Sequence, residues 1–101
     1  MATLYLTQFG GTGVGNSDIA QEPSLGTQTL TIGSETKSTA FVQNCRLIEI
    51  SVDAICSIHF SLPDVNGNYT AATTSSRRLP ADTIIYYGAQ PNMKLSVISN
   101  T

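Results

Sequence analysis

The stretch Arg46-Leu47-Ile48-Glu49-Ile50-Ser51-Val52-Asp53-Ala54-Ile55-Cys56-Ser57-Ile58-His59-Phe60-Ser61-Leu62 decides the fold class. In its first half Ile48, Ile50 and Val52 share one parity and Leu47, Glu49 and Ser51 the other. In its second half Cys56, Ile58, Phe60 and Leu62 oppose Ile55, Ser57, His59 and Ser61. A period of two marks β-strands, because successive side chains point to opposite faces of a sheet. The two runs are expected as a hairpin or as one strand carrying a bulge. A two-residue loop sets Ile50 against Ser57. A three-residue loop ending at Ile55 pairs Val52 with Cys56, Ile50 with Ile58 and Ile48 with Phe60, and so keeps the apolar face together. The loop lacks glycine, which leaves the bulged strand as the alternative.

Outward from this stretch the pattern repeats in shorter pieces. Thr3 to Thr7 alternates Leu4 and Leu6 with Thr3, Tyr5 and Thr7, and Thr27 to Ile32 alternates threonines with Gln28, Leu30 and Ile32 before a turn at Gly33-Ser34-Glu35. Ser38 to Gln43 is expected as a further short strand, and Tyr69 to Ser76 as an edge strand or a loop. Pro63-Asp64-Val65-Asn66-Gly67-Asn68 carries Asn-Gly behind a proline, a strong reversal signal. Arg77-Arg78-Leu79-Pro80-Ala81-Asp82 leads into Thr83 to Tyr87, which Gly88-Ala89-Gln90-Pro91-Asn92 separates from Met93 to Ile98, and these last two runs read as a closing hairpin. With no amphipathic helical period, the fold class is all-β: an antiparallel β-sandwich or small barrel of about seven to eight short strands with an extended N-terminal arm. The 101 residues suit a single β-domain, residues 1–101, within which 8–26 form a glycine-rich arm or long loop.

Composition narrows the function classes. Charged residues are 12% of the chain, Ser and Thr together about a quarter, and the formal net charge is −2. No positive field attracts a phosphate backbone, so no nucleic-acid partner is expected. No apolar run approaches the roughly 20 residues of a spanning helix, and Met1-Ala2-Thr3-Leu4-Tyr5-Leu6 lacks the basic and apolar regions of an export signal, so no membrane association is expected.

The chemical candidates meet bland readings. Gly10-Gly11-Thr12-Gly13-Val14-Gly15 lacks the Lys, hydroxyl residue and following helix of a phosphate loop, and is read as a flexible or subunit-bridging arm. Cys56 and His59 differ by an odd number of positions, so on one strand they face opposite ways and do not form a nucleophile–base pair. Cys45 and Cys56 are read as reduced core thiols. Asp64, Asn66 and Asn68 have the alternate spacing that opens a calcium loop, without the closing Glu, and serve the turn instead. Asp53, Asp64 and Asp82 fall at separate turns rather than on one rigid face. No catalytic residue, cofactor or metal is expected. The candidate interface residues are Arg77 and Arg78, able to grip an acidic neighbour; one of Tyr86 and Tyr87, which alternate across the sheet; and Gly10, Gly11, Val14 and Ile19 of the arm.

The run Arg46 to Phe60, with Arg78-Leu79-Pro80-Ala81-Asp82-Thr83, Tyr86-Tyr87-Gly88, Lys94-Leu95-Ser96-Val97-Ile98, the opening Met1-Ala2-Thr3-Leu4-Tyr5 and Ile19-Ala20-Gln21-Glu22-Pro23, resembles the small β-rich structural proteins encoded near the capsid genes of tailed bacteriophages. The resemblance implies a non-enzymatic virion component made in the host cytoplasm. Its implied role is a head decoration or cement protein on the outer capsid surface, bound to the major capsid protein and self-associated, with a trimer favoured. A neck, tail or head-fibre component and a receptor- or glycan-binding module are the alternatives.

Overall fold

The structure, a computed structural model, describes residues 2–10, 25–43 and 45–100. Its eight strands are β1 (Thr3–Phe9), β2 (Gly26–Thr31), β3 (Thr36–Lys37), β4 (Leu47–Val52), β5 (Cys56–Ser61), β6 (Arg77–Leu79), β7 (Thr83–Gly88) and β8 (Lys94–Ser99). They form two four-stranded sheets, ordered β2-β1-β4-β7 and β3-β8-β5-β6, and every pairing is antiparallel. The fold is an all-β sandwich. Its extents of 39 × 35 × 19 Å are those of two sheets face to face, since packed sheets lie about 10 Å apart.

The core is built from the inward parity of each strand. Leu4 and Leu6 of β1, Leu30 of β2 and Ile48, Ile50 and Val52 of β4 meet Cys56 and Ile58 of β5 and Leu95 and Val97 of β8, all of them buried. Phe41 and Cys45, from the connection that returns to the first sheet, join the same buried cluster. Ile50 lies opposite Leu6 on one side and Ile85 on the other. Removing such apolar area from water contributes about 25 cal/mol per Å².

The strand pairs nest. β5 pairs with β6, β4 with β7, β3 with β8, and β2 with β1. This is the wrapping of a jelly roll, in which the partner of β2 precedes it in the chain instead of following β8. The start of β1 and the end of β8 both bond to the corner at residues 53–55. The Thr3 N–H donates to the Asp53 carboxylate at 2.7 Å, and the Asn100 N–H to the Ile55 carbonyl at 3.4 Å.

Two expected hairpins are therefore corrected. β4 and β5 lie in different sheets: Val52 faces Leu4 and Thr83, while Cys56 faces Leu79 and Ser99. They are neither a hairpin nor one bulged strand, because Asp53 is tied to Thr3 and the chain crosses between layers instead of reversing. β7 and β8 likewise separate, β7 joining β4 and β8 joining β3 and β5. At that crossing the Ala89 N–H donates to the Arg46 carbonyl and the Asn92 N–H to the Phe41 carbonyl. Asn92, at φ 70°, and Asp82, at φ 58°, take the left-handed backbone that these two residue types tolerate best after glycine.

Ser38 to Gln43 is not a strand either. The segment follows β8, but there the buried Ser38 hydroxyl takes the place of a main-chain acceptor, receiving the Leu95 N–H at 2.9 Å. Arg77–Leu79 is a strand that periodicity did not reveal, and Tyr69 to Ser76 is a loop. The Pro63–Asn68 reversal stands as expected: Asp64 accepts the Asn66 and Asn68 N–H groups, and Gly67 sits at φ 81°. The glycine-rich segment is narrower than 8–26, since Gln8 and Phe9 belong to β1 and Gly26 pairs with Gln8. Residues 11–24 lie outside the described residues.

Candidate functional site

The two outer faces of the sandwich differ. Across the second sheet runs the long β5–β6 connection, and small hydroxyls fasten it there. The Thr70 N–H donates to Ser61 Oγ at 3.2 Å and the Ala72 N–H to Ser96 Oγ at 2.8 Å, while Asn100 Nδ2 bridges Ser57 Oγ and the Thr74 carbonyl. Ser57 and Ser96 are outward by parity yet buried, because this strap covers them. Ser96 in turn donates to Glu35, whose carboxylate also meets Lys37 at 3.0 Å. The Ser96 hydrogen bond, against opposing burial and with help from Lys37, holds the Glu35 carboxyl below its ordinary value. Tyr69 packs under the Lys94 ammonium, 4.5 Å from the ring centroid, and donates its hydroxyl to the Asn92 carbonyl.

No described segment lies over the first sheet. Reading across its strands, one outward row is Thr29, Tyr5, Ser51, Ile84 and the next is Thr27, Thr7, Glu49, Tyr86. Tyr5 is 51% exposed, Ile84 64% and Tyr86 52%. The Tyr86 hydroxyl donates to Glu49 at 2.5 Å, which orients the ring along the face. Two tyrosines and an isoleucine in a field of hydroxyls, with Glu49 the one charge in those rows, make a flat, nearly neutral surface. Amphipathic aromatics of this kind are enriched at contact surfaces.

The expected interface residues do not gather into one patch. Tyr86 is the outward member of its pair, and Tyr87 turns inward. The Tyr87 ring lies edge to face against Phe60, centroids 5.2 Å apart, beneath the Arg77 guanidinium at 5.0 Å. Its hydroxyl is buried and has no hydrogen-bond partner among the described residues. Arg77 and Arg78 diverge, Arg78 donating from Nε to the Asn100 carbonyl at 3.2 Å. Neither arginine has a carboxylate partner among the described residues. Gly10 directly follows β1, whereas Gly11, Val14 and Ile19 lie outside the described residues. Tyr5 and Ile84 went unmarked in the sequence. Their signal was there: each is a large apolar residue at the outward parity of its strand.

Cys45 and Cys56 are free thiols buried in the core, and burial pushes both pKa values up, away from the thiolate form. Cys56 faces inward and His59 outward. Among the described residues no group of three or more His, Cys, Asp or Glu is placed to hold a metal ion, and no helix is long and apolar enough to cross a membrane. A cavity of about 350 Å³ opens beside Ile58, His59, Phe60 and Arg77. Comparison with protein-family models, curated proteins and solved structures finds no match to this chain.

Proposed function

We infer that the protein is a non-enzymatic structural component of a tailed-phage virion, a decoration or cement protein that sits on the outer head surface and stabilises contacts between major capsid subunits. One observation carries the reading beside the sequence resemblance: the strap crosses one face of the sandwich and buries Ser57 and Ser96 there, while the opposite face offers Tyr5, Ile84 and Tyr86 on a hydroxyl-rich sheet. A surface of this kind adheres by area and shape, as a cement must, and needs no reacting group. Association of copies on the head, as trimers, fits a small domain whose stability gains from burying such a face.

The test is the amount of protein in purified particles, by quantitative mass spectrometry against the major capsid protein, for the native chain and for Tyr5→Asp/Ile84→Asp. A simple fraction of one copy per capsid subunit is expected for the native chain. The double variant is expected to be lost from particles with its melting temperature unchanged, because exposed substitutions seldom move stability by more than about 0.5 kcal/mol. A handful of copies per particle points to the neck, tail or a fibre, and absence from particles overturns the virion reading. Tyr5 and Tyr86, exposed on one face, also suit a glycan-binding module, and glycan-array binding lost with Tyr5→Ala would favour that reading.

A further inference from the structure

Strand β6 stops early. Its three residues pair with Cys56, Ser57 and Ile58, whereas β5 continues through His59, Phe60 and Ser61 with β8 alongside for its whole length. Continued in register, β6 would set Ser76 opposite His59. A tight turn prevents it: the Ser76 N–H donates to the Thr73 carbonyl at 2.9 Å, and the Thr73 N–H to Ser76 Oγ at 3.0 Å. That turn carries the chain off the edge of β5 and up into the strap.

The consequence is a gap in the ladder. Neighbouring residues of a strand turn their N–H and C=O groups to opposite edges, so at least one of His59, Phe60 and Ser61 points both groups into the gap. The cavity beside Ile58, His59, Phe60 and Arg77 lies at this place. Arg77 also lines it, with a guanidinium that has no acidic partner among the described residues, laid over the Tyr87 ring whose hydroxyl has no hydrogen-bond partner among them either. An open main-chain edge takes an extended strand, a guanidinium with no acidic partner among the described residues takes a carboxylate, and the Phe60 side of the cavity takes an apolar neighbour.

We propose that the notch left where β6 stops, between Arg77 and the open edge of His59–Ser61, binds an extended acidic peptide segment of a partner as an added strand, with a carboxylate of that segment on Arg77. The inference goes beyond the virion reading and does not rest on it, because the notch is separate from the Tyr5, Ile84 and Tyr86 face.

The probe is a fluorescein-labelled peptide of sequence Thr-Val-Glu-Val-Thr, titrated by fluorescence anisotropy against the whole chain, with amide chemical-shift mapping of the complex. Saturable binding is expected, with the largest shifts at His59 to Ser61 and at Arg77. Replacing the peptide's Glu by Gln, or Arg77→Gln in the protein, should each weaken binding by about tenfold, and the two changes together should add little, since they remove one charge-assisted contact. Of two peptides N-methylated at alternate amides, one should lose binding, because only one set faces β5. Each peptide change leaves the protein's own folding untouched. No saturation at millimolar peptide, equal binding of both N-methylated peptides, indifference to the Glu-to-Gln change, or shifts centred on Tyr5 and Ile84 would each overturn the proposal.

Discussion

Two buried hydroxyls carry opposite expectations. Ser38 Oγ accepts the Leu95 N–H and donates to the Thr39 carbonyl, both at 2.9 Å, while the Ser38 N–H donates to the Leu95 carbonyl at 2.8 Å, so the side chain supplies the acceptor on the Leu95 N–H. Ser38→Ala leaves a buried N–H without a partner, and a loss of about 1–3 kcal/mol is expected in denaturant melts. Tyr87 is the reverse case. Its ring is held by Phe60 and Arg77 while its hydroxyl bonds to nothing described, so Tyr87→Phe keeps the packing and removes an unsatisfied group. Stability equal to or above the native chain is expected, and a loss of more than about 1 kcal/mol would show that the hydroxyl has a partner after all. The alternation of Tyr86 and Tyr87 across the sheet was legible from parity alone. Which of them faces out was not, because that depends on the pairing of β7 with β4. Ser38, Ser57 and Ser96 were illegible for a related reason: a small hydroxyl reads as exposed until a distant segment covers it.

At the scale of elements, the strap links a surface charge to a buried backbone group. The Ala72 N–H leans on Ser96, and Ser96 on the Glu35 carboxylate. Because the folded-state pKa of Glu35 is depressed, its contribution is fully present above the unfolded carboxylate value and fades as pH falls through the lower, folded value. The protection of the Ala72 amide, taken relative to its intrinsic exchange rate, is therefore expected to fall more than that of Ile50 on acidification below 4.5, and Glu35→Gln should abolish that difference. Equal pH dependence at both amides would exclude the linkage. The strands themselves were legible where alternation was long, as in Leu47–Val52 and Cys56–Ser61, and β6 was not, since three residues carry no period. The hairpins were misread because alternation encodes only inward against outward, and in a sandwich the inward direction is common to both sheets. A three-residue corner such as Asp53–Ile55 then reads the same whether the chain reverses within one sheet or crosses to the other.

For the whole molecule, asymmetry is the feature that the candidate site depends on. Both sheets have four strands, yet among the described residues only the second has a length of chain laid across its outer face. Composition anticipated a neutral, hydroxylated surface, but not that a strap would cross one side of it, which follows from where the β5–β6 connection travels. The connections also interlock the layers. β2 to β3, β3 to β4, β4 to β5, β6 to β7 and β7 to β8 each pass from one sheet to the other, so neither sheet is a continuous piece of chain.

The place of β8 in this order has a consequence for how the molecule is born. It is the last strand in sequence and a central one in its sheet, flanked by β3 and β5. While the chain leaves the ribosome, both flanking strands wait with bare edges, and the inner wall of half the sandwich is missing its middle plank. Long-range pairing of this kind is slow and exposes sticky edges in the meantime. A chain that lacks β8 therefore leaves β3 and β5 without the strand that joins them.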